Sequence, residues 1–167
     1  RTSCCFNGGG PGSALWKSTN SGSTWTKMTG NGLPPGTYGR IALDVSRSSS
    51  GVVYAQIEAG ETGREIAPAA GRAGGGGGGG GAGRGGVPQV DPCNNRSAQQ
   101  DVALNPVTGG IFRSDNGGGS WRHVSNCNAR PMYFSQMRID PHNPNAVYVA
   151  GLPIAKSLDG GKTFETL

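Results

Sequence analysis

Three stretches of this chain bring an Asp or Asn side chain within a few residues of two hydroxyls. Lys17 to Trp25 reads KSTNSGSTW, Arg113 to Trp121 reads RSDNGGGSW, and Lys156 to Phe164 reads KSLDGGKTF. The shared grammar is Ser, any residue, Asp or Asn, any residue, Gly, any residue, Ser or Thr, aromatic. An Asp between a Ser and a Thr suggests a base beside a nucleophile, or oxygen ligands for a hard cation.

Against that chemistry stands the repetition. Five constrained positions match a random window with a probability on the order of 10⁻⁶, so three matches are a repeat rather than coincidence. A reactive site is rarely needed three times in equivalent places, whereas a turn always is. Ser18, Asn20, Gly22, Thr24 and Trp25, with Ser114, Asn116, Gly118, Ser120 and Trp121, and Ser157, Asp159, Gly161, Thr163 and Phe164, are therefore expected to build hairpin tips. In such a tip the Asp or Asn accepts backbone N–H groups of its own turn, the Gly supplies a positive φ, and the hydroxyl adds a second local bond. The aromatic residue is expected to anchor the turn to a core.

The remaining chemistry is sparse. Glycoside hydrolysis needs two carboxyl groups about 5 to 9.5 Å apart across the scissile bond. Of ten acidic residues, Asp115 and Asp159 lie in boxes, Asp44 and Asp140 fall at matching strand ends, and Glu165 follows the last box. Glu58, Glu61, Glu65, Asp91 and Asp101 lie at or within a glycine-rich region, and no pair stands out as catalytic. His123 and His142 read as solvated side chains, and the four cysteines match no zinc spacing. Neither a metal nor a cofactor is expected.

The boxes need strands to hold them. Leu15-Trp16-Lys17, Ile111-Phe112-Arg113 and Ile154-Ala155-Lys156 precede them with the same apolar and basic placement, and alternation resumes after each aromatic. Ser114 and Ser157 are 43 residues apart, the length of a four-stranded propeller blade. Counted from the box Ser, Pro35 matches Pro131, Tyr38 matches Phe134 and Asp44 matches Asp140, and both units then reach a Val-Tyr pair, Val53-Tyr54 and Val147-Tyr148. The first two boxes are 96 residues apart, and nearly all the excess falls between Gly60 and Thr108. That stretch holds eight consecutive glycines, Gly74 to Gly81, and too little apolar surface to offset ordering entropy. The organisation expected is an all-β chain: blades over 1–59, a mostly disordered insertion over 60–108, and blades over 109–167.

Outside the insertion about 114 residues remain, under three repeats, while a closed propeller needs about four blades. The remaining blades of the propeller are thus expected partners, and the start at Arg1 in mid-repeat reads as a segment of a larger protein. The net charge of +5 comes from Lys and Arg scattered without a basic run, which argues against nucleic-acid binding. No stretch approaches 18 apolar residues, so no membrane insertion is expected of this segment.

The boxes resemble the Asp-box or BNR repeat, shared by sialidases, xyloglucan-cleaving hydrolases and the sortilin or Vps10 domain. The run IDPHNPNAVYVAG before the last box is most similar to sortilin-type and xyloglucanase-type propellers, and CNARPMYFSQMRIDP with CCFNGGGPG resembles bacterial exported proteins of that class. The resemblance implies a secreted or periplasmic propeller that binds protein, peptide or carbohydrate. The alternative it implies is part of a polysaccharide hydrolase whose catalytic carboxylates lie outside this segment. In an exported protein Cys4, Cys5, Cys93 and Cys127 read as disulfide cysteines, with Cys127 paired to Cys93 or to Cys4/Cys5. Strand alternation sets the box turns and the turn holding His142 on one face, and the cysteines with Arg130, Tyr133 and Phe134 on the other. Those last three residues are the expected ligand surface.

Overall fold

The computed structural model describes residues 9–59, 104, 107, 109–128, 136–151 and 154–167. The described residues form antiparallel β-sheet without α-helix. A first hairpin pairs β1 (Trp16–Lys17) with β2 (Thr26–Lys27). A four-stranded meander follows: β3 (Tyr38–Val45), β4 (Val53–Ala59), β5 (Gly109–Ser114) and β6 (Arg122–Ser125). The second meander is β7 (Met137–Ile139), β8 (Val147–Val149), β9 (Ala155–Ser157) and β10 (Glu165–Thr166). Neither sheet closes on itself.

Every box connects two paired strands in one register. Lys17 faces Thr26, Arg113 faces Arg122, and Lys156 faces Glu165. Tyr54 lies opposite Arg113 as Tyr148 lies opposite Lys156, so the second and third strands of both meanders are equivalent residue for residue.

Side-chain alternation stacks the layers. Along β4, Val53, Ala55 and Ile57 join Leu15, Leu33, Phe112 and Trp121 in a core beneath the first hairpin. Tyr54 points the other way, into a second core with Ile111, Val124, Met137, Val147 and Phe164 beneath the second meander. A strand buried on both faces reads as a near-continuous apolar run, as VYAQI does here. The middle sheet is thus covered on both sides. Close approach is needed where Gly32, at φ 90°, passes the Trp121 carbonyl: a Cβ there would collide with backbone, and Trp121 N–H donates to the Asn31 carbonyl at 2.7 Å.

One alignment from the sequence needs correction. Asp44 is not the counterpart of Asp140. Ser46 N–H donates to the Val52 carbonyl as Asp140 N–H donates to the Ala146 carbonyl, which makes Ser46 the equivalent residue. The side chains agree: Ser46 Oγ accepts from Ser49 N–H at 3.2 Å, and Asp140 Oδ1 from Asn143 N–H at 3.1 Å. Ser46 lies 28 residues after Ser18 whereas Asp140 lies 26 after Ser114, and side-chain identity alone hid the shift. Asp44 instead joins the sheets, accepting from Val45 N–H at 3.0 Å and, across the gap, from Ile139 N–H at 2.8 Å.

Candidate functional site

The boxes are self-contained hydrogen-bond knots. In the second, Ser114 Oγ donates to Asn116 Oδ1 at 2.9 Å and accepts from Gly118 N–H at 2.8 Å, while Asn116 Oδ1 also accepts from Ser120 N–H at 2.8 Å. Ser18 and Asn20 repeat these bonds, and so do Ser157 and Asp159. The last contact differs in direction. Asn20 and Asn116 donate through Nδ2 to Thr24 and Ser120 hydroxyls at 2.9 and 3.0 Å, but Thr163 Oγ1 donates to Asp159 Oδ2 at 2.6 Å. A rotating hydroxyl serves either partner. Gly22, Gly118 and Gly161 take φ of 86°, 86° and 83°, the left-handed region the box demands.

With the side chain so engaged, Asp159 is no catalytic acid. Burial works to raise its pKa, but the Thr163 hydroxyl and N–H, the Ser157 hydroxyl and the Lys162 N–H outweigh it, and the carboxyl sits below its ordinary value. A general acid needs the opposite shift. Three other described carboxylates hold local structure. Glu58 accepts from Arg40 N–H, Asp140 caps His142 and Asn143, and Asp115 pairs with Arg113 at 2.7 Å and Arg122 at 3.0 Å. Among the described residues no three His, Cys, Asp or Glu side chains gather as metal ligands.

The box turns join the units. Gly117 N–H donates to the Gly51 carbonyl at 2.8 Å and Gly160 N–H to the Asn145 carbonyl at 3.0 Å, so each box turn lies beside the first-to-second turn of its own sheet. The basic residue before each of the first two boxes reaches forward to the next unit. Lys17 Nζ donates to the Gly117 carbonyl at 2.8 Å, and Arg113 Nη1 donates to Asn145 Oδ1 at 2.6 Å and to Tyr54 Oη at 2.8 Å. Burial raises the Tyr54 pKa against the opposing Arg113 charge, and the hydroxyl donates to the Pro144 carbonyl at 3.0 Å. These linking roles of Lys17, Arg113 and Tyr54 escaped the sequence reading, although the recurring basic residue was its visible trace.

The aromatic anchors point backward, each toward the unit before it. Phe164 is fully buried in the core against the middle sheet and Trp121, 7% exposed, in the core against the first hairpin. Trp25 departs from expectation: it is 60% exposed, its indole N–H donating to the Gly22 carbonyl, because no earlier unit covers it among the described residues. His123 departs as well. Rather than solvated, it is half-buried and stacked on Phe112 at 4.7 Å, with neither ring nitrogen hydrogen-bonded. Burial lowers its pKa, and the nearby Ser125 and Gly109 backbone only partly opposes this.

Between the first hairpin and the second box lies a groove of about 320 Å³. Thr19, Thr24, Thr26 and Lys27 offer hydroxyl and ammonium groups along it, over a floor of Met28 and Trp121, and among the described residues no Asp, Glu, His or Cys lines it. Such a surface can hold a polar ligand.

No family model, curated protein or solved structure matches this chain. The expected ligand residues Arg130, Tyr133 and Phe134 lie outside the described residues, as do Cys4, Cys5 and Cys93. Cys127 is fully buried and disulfide-bonded.

Proposed function

We propose that the chain is part of a β-propeller of Asp-box blades that serves as an exported interaction scaffold for a protein, peptide or glycan. Two four-stranded meanders stacked face to face support the propeller reading, with their first strands tied by Asp44 and their box turns in equivalent places. The disulfide at Cys127 supports a secreted or periplasmic location, since such bonds persist in oxidising compartments.

The observation that carries the binding function is the groove, where Thr19, Thr24, Thr26 and Lys27 line an apolar floor and, among the described residues, no Asp, Glu, His or Cys joins them. Affinity electrophoresis in gels containing soluble polysaccharide, with a peptide array in parallel, tests it. Retardation or spot binding is expected, weakened about tenfold or more by Lys27→Ala with Thr26→Val, without release of reducing ends. Reducing-end release would favour the hydrolase reading, and unchanged binding by the double variant would remove the groove from the ligand surface.

A further inference from the structure

Asparagine followed by glycine is a pair able to modify itself, because a residue without Cβ lets its backbone nitrogen close on the preceding side chain. The chain holds Asn7-Gly8, Asn31-Gly32 and Asn116-Gly117, of which the first lies outside the described residues. The fold treats the other two differently.

Asn116 is held at both polar atoms of its side chain. Its Oδ1 accepts from Ser114 Oγ at 2.9 Å and from Ser120 N–H at 2.8 Å, and its Nδ2 donates to Ser120 Oγ at 3.0 Å. The nitrogen that would attack it is occupied too, since Gly117 N–H donates to the Gly51 carbonyl at 2.8 Å. Asp159-Gly160 in the last box is closed in the same manner, with Gly160 N–H on the Asn145 carbonyl and the carboxylate on Ser157 and Thr163. An amide proton bonded within the fold is protected from base until the structure opens locally.

Asn31-Gly32 lacks these restraints. Among the described residues neither the Asn31 side chain nor the Gly32 N–H has a hydrogen-bond partner, and both residues are exposed. The pair stands at a seam whose two sides both belong to this chain, where the first hairpin meets the second box. There the Asn31 carbonyl accepts from Trp121 N–H at 2.7 Å.

We infer that Asn31 is a site of spontaneous modification, its side-chain amide converted to a carboxyl through attack by the Gly32 nitrogen. That nitrogen, having given up its proton to base, bonds to Asn31 Cγ; the Cγ–Nδ2 bond breaks, ammonia departs, and a cyclic imide remains. Water then opens the imide at one of its two carbonyls. One opening gives aspartate, and the other gives isoaspartate, in which the main chain runs through the former side chain. Aspartate tolerates the left-handed conformation that Asn31 adopts at φ 51° and keeps the carbonyl that Trp121 uses. Isoaspartate adds a methylene to the main chain and displaces that carbonyl, which loosens the tie between the hairpin and the second box. Either product adds a carboxylate to the groove that Asn31 lines together with Lys17 and Lys27.

Incubation of the whole chain at mildly alkaline pH, followed by tryptic peptide mass spectrometry, tests the site, since cleavage isolates Asn31 in residues 28–40 and Asn116 in residues 114–122. In the folded protein Asn31 is expected to deamidate at least about tenfold faster than Asn116, and in concentrated urea the two rates are expected to agree within about threefold. Equal rates in the folded protein would overturn the inference, as would an Asn116 that stays slow in urea. Protein carrying isoaspartate at position 31, separated by chromatography, is expected to exchange the Trp121 amide proton about tenfold or more faster than untreated protein. Asn31→Asp, with the charge but the ordinary main chain, is expected to exchange it at the untreated rate. Unchanged exchange in the isoaspartate form, or an equal rise in the variant, would overturn the loosening of the seam.

Discussion

At the scale of single residues, the box uses Asp and Asn interchangeably because its hydroxyl partner can reverse. Thr163 donates to the Asp159 carboxylate, while Thr24 accepts from the Asn20 amide. Asp159→Asn should therefore fold with little loss, whereas Asp159→Ala leaves the turn N–H groups of Lys162 and Thr163 without their acceptor and should cost about 0.5 to 2 kcal/mol in urea unfolding. The pH dependence follows from two depressed pKa values. The neutral His123 ring is favoured by folding, so its contribution is complete above its ordinary value of 6.5 and lost as pH falls through its lower folded pKa. Asp159 contributes above its ordinary value of 3.8 and loses that contribution as pH falls through its folded pKa. Unfolding midpoints measured against pH should show both declines, with His123→Phe removing the first and Asp159→Asn the second.

The element that matters is the box hairpin, and its aromatic residue works between units rather than within one. Trp121 and Phe164 reach back into cores completed by the preceding layer, while Trp25, with the same spacing in the same motif, lies on the surface. Identical local sequence thus has different energetic weight. Trp121→Ala should cost about 3 to 5 kcal/mol, the range for emptying a buried aromatic site. Trp25→Ala should change the stability of the monomer by less than about 1 kcal/mol. Equal losses in a denaturant titration would contradict the direction of packing described here.

For the whole molecule, stability comes from layers that cannot bury their faces alone. The middle sheet contributes Val53, Ala55 and Ile57 to one core and Tyr54 and Ile111 to the other, so the three layers should unfold together. Cys127 adds a covalent constraint at the end of β6, where the chain leaves the middle sheet. Reduction should lower stability by about 2 to 4 kcal/mol, and mass spectrometry of unreduced protein after alkylation should find fewer than four free thiols. Four alkylated cysteines together with an unchanged unfolding midpoint would remove the bridge from this account.

Local chemistry was legible without a structure. The triple recurrence of Ser, Asp or Asn, Gly, hydroxyl and aromatic residue determined the hairpin tips, because every bond of the box lies within five residues and needs no distant partner. Alternation of apolar residues likewise determined the second and third strands, and the common face of the box turn and first-to-second turn followed from antiparallel geometry. Contacts between layers were not legible, because they depend on which surface another unit covers. Only the tertiary structure separated Trp25 from Trp121, placed His123 against Phe112, and moved the counterpart of Asp140 from Asp44 to Ser46. Register in a sheet is set by pairing across the strands, so the two-residue difference between the Ser18–Ser46 and Ser114–Asp140 spans leaves each strand's own pattern unchanged and shows only when the strands pair.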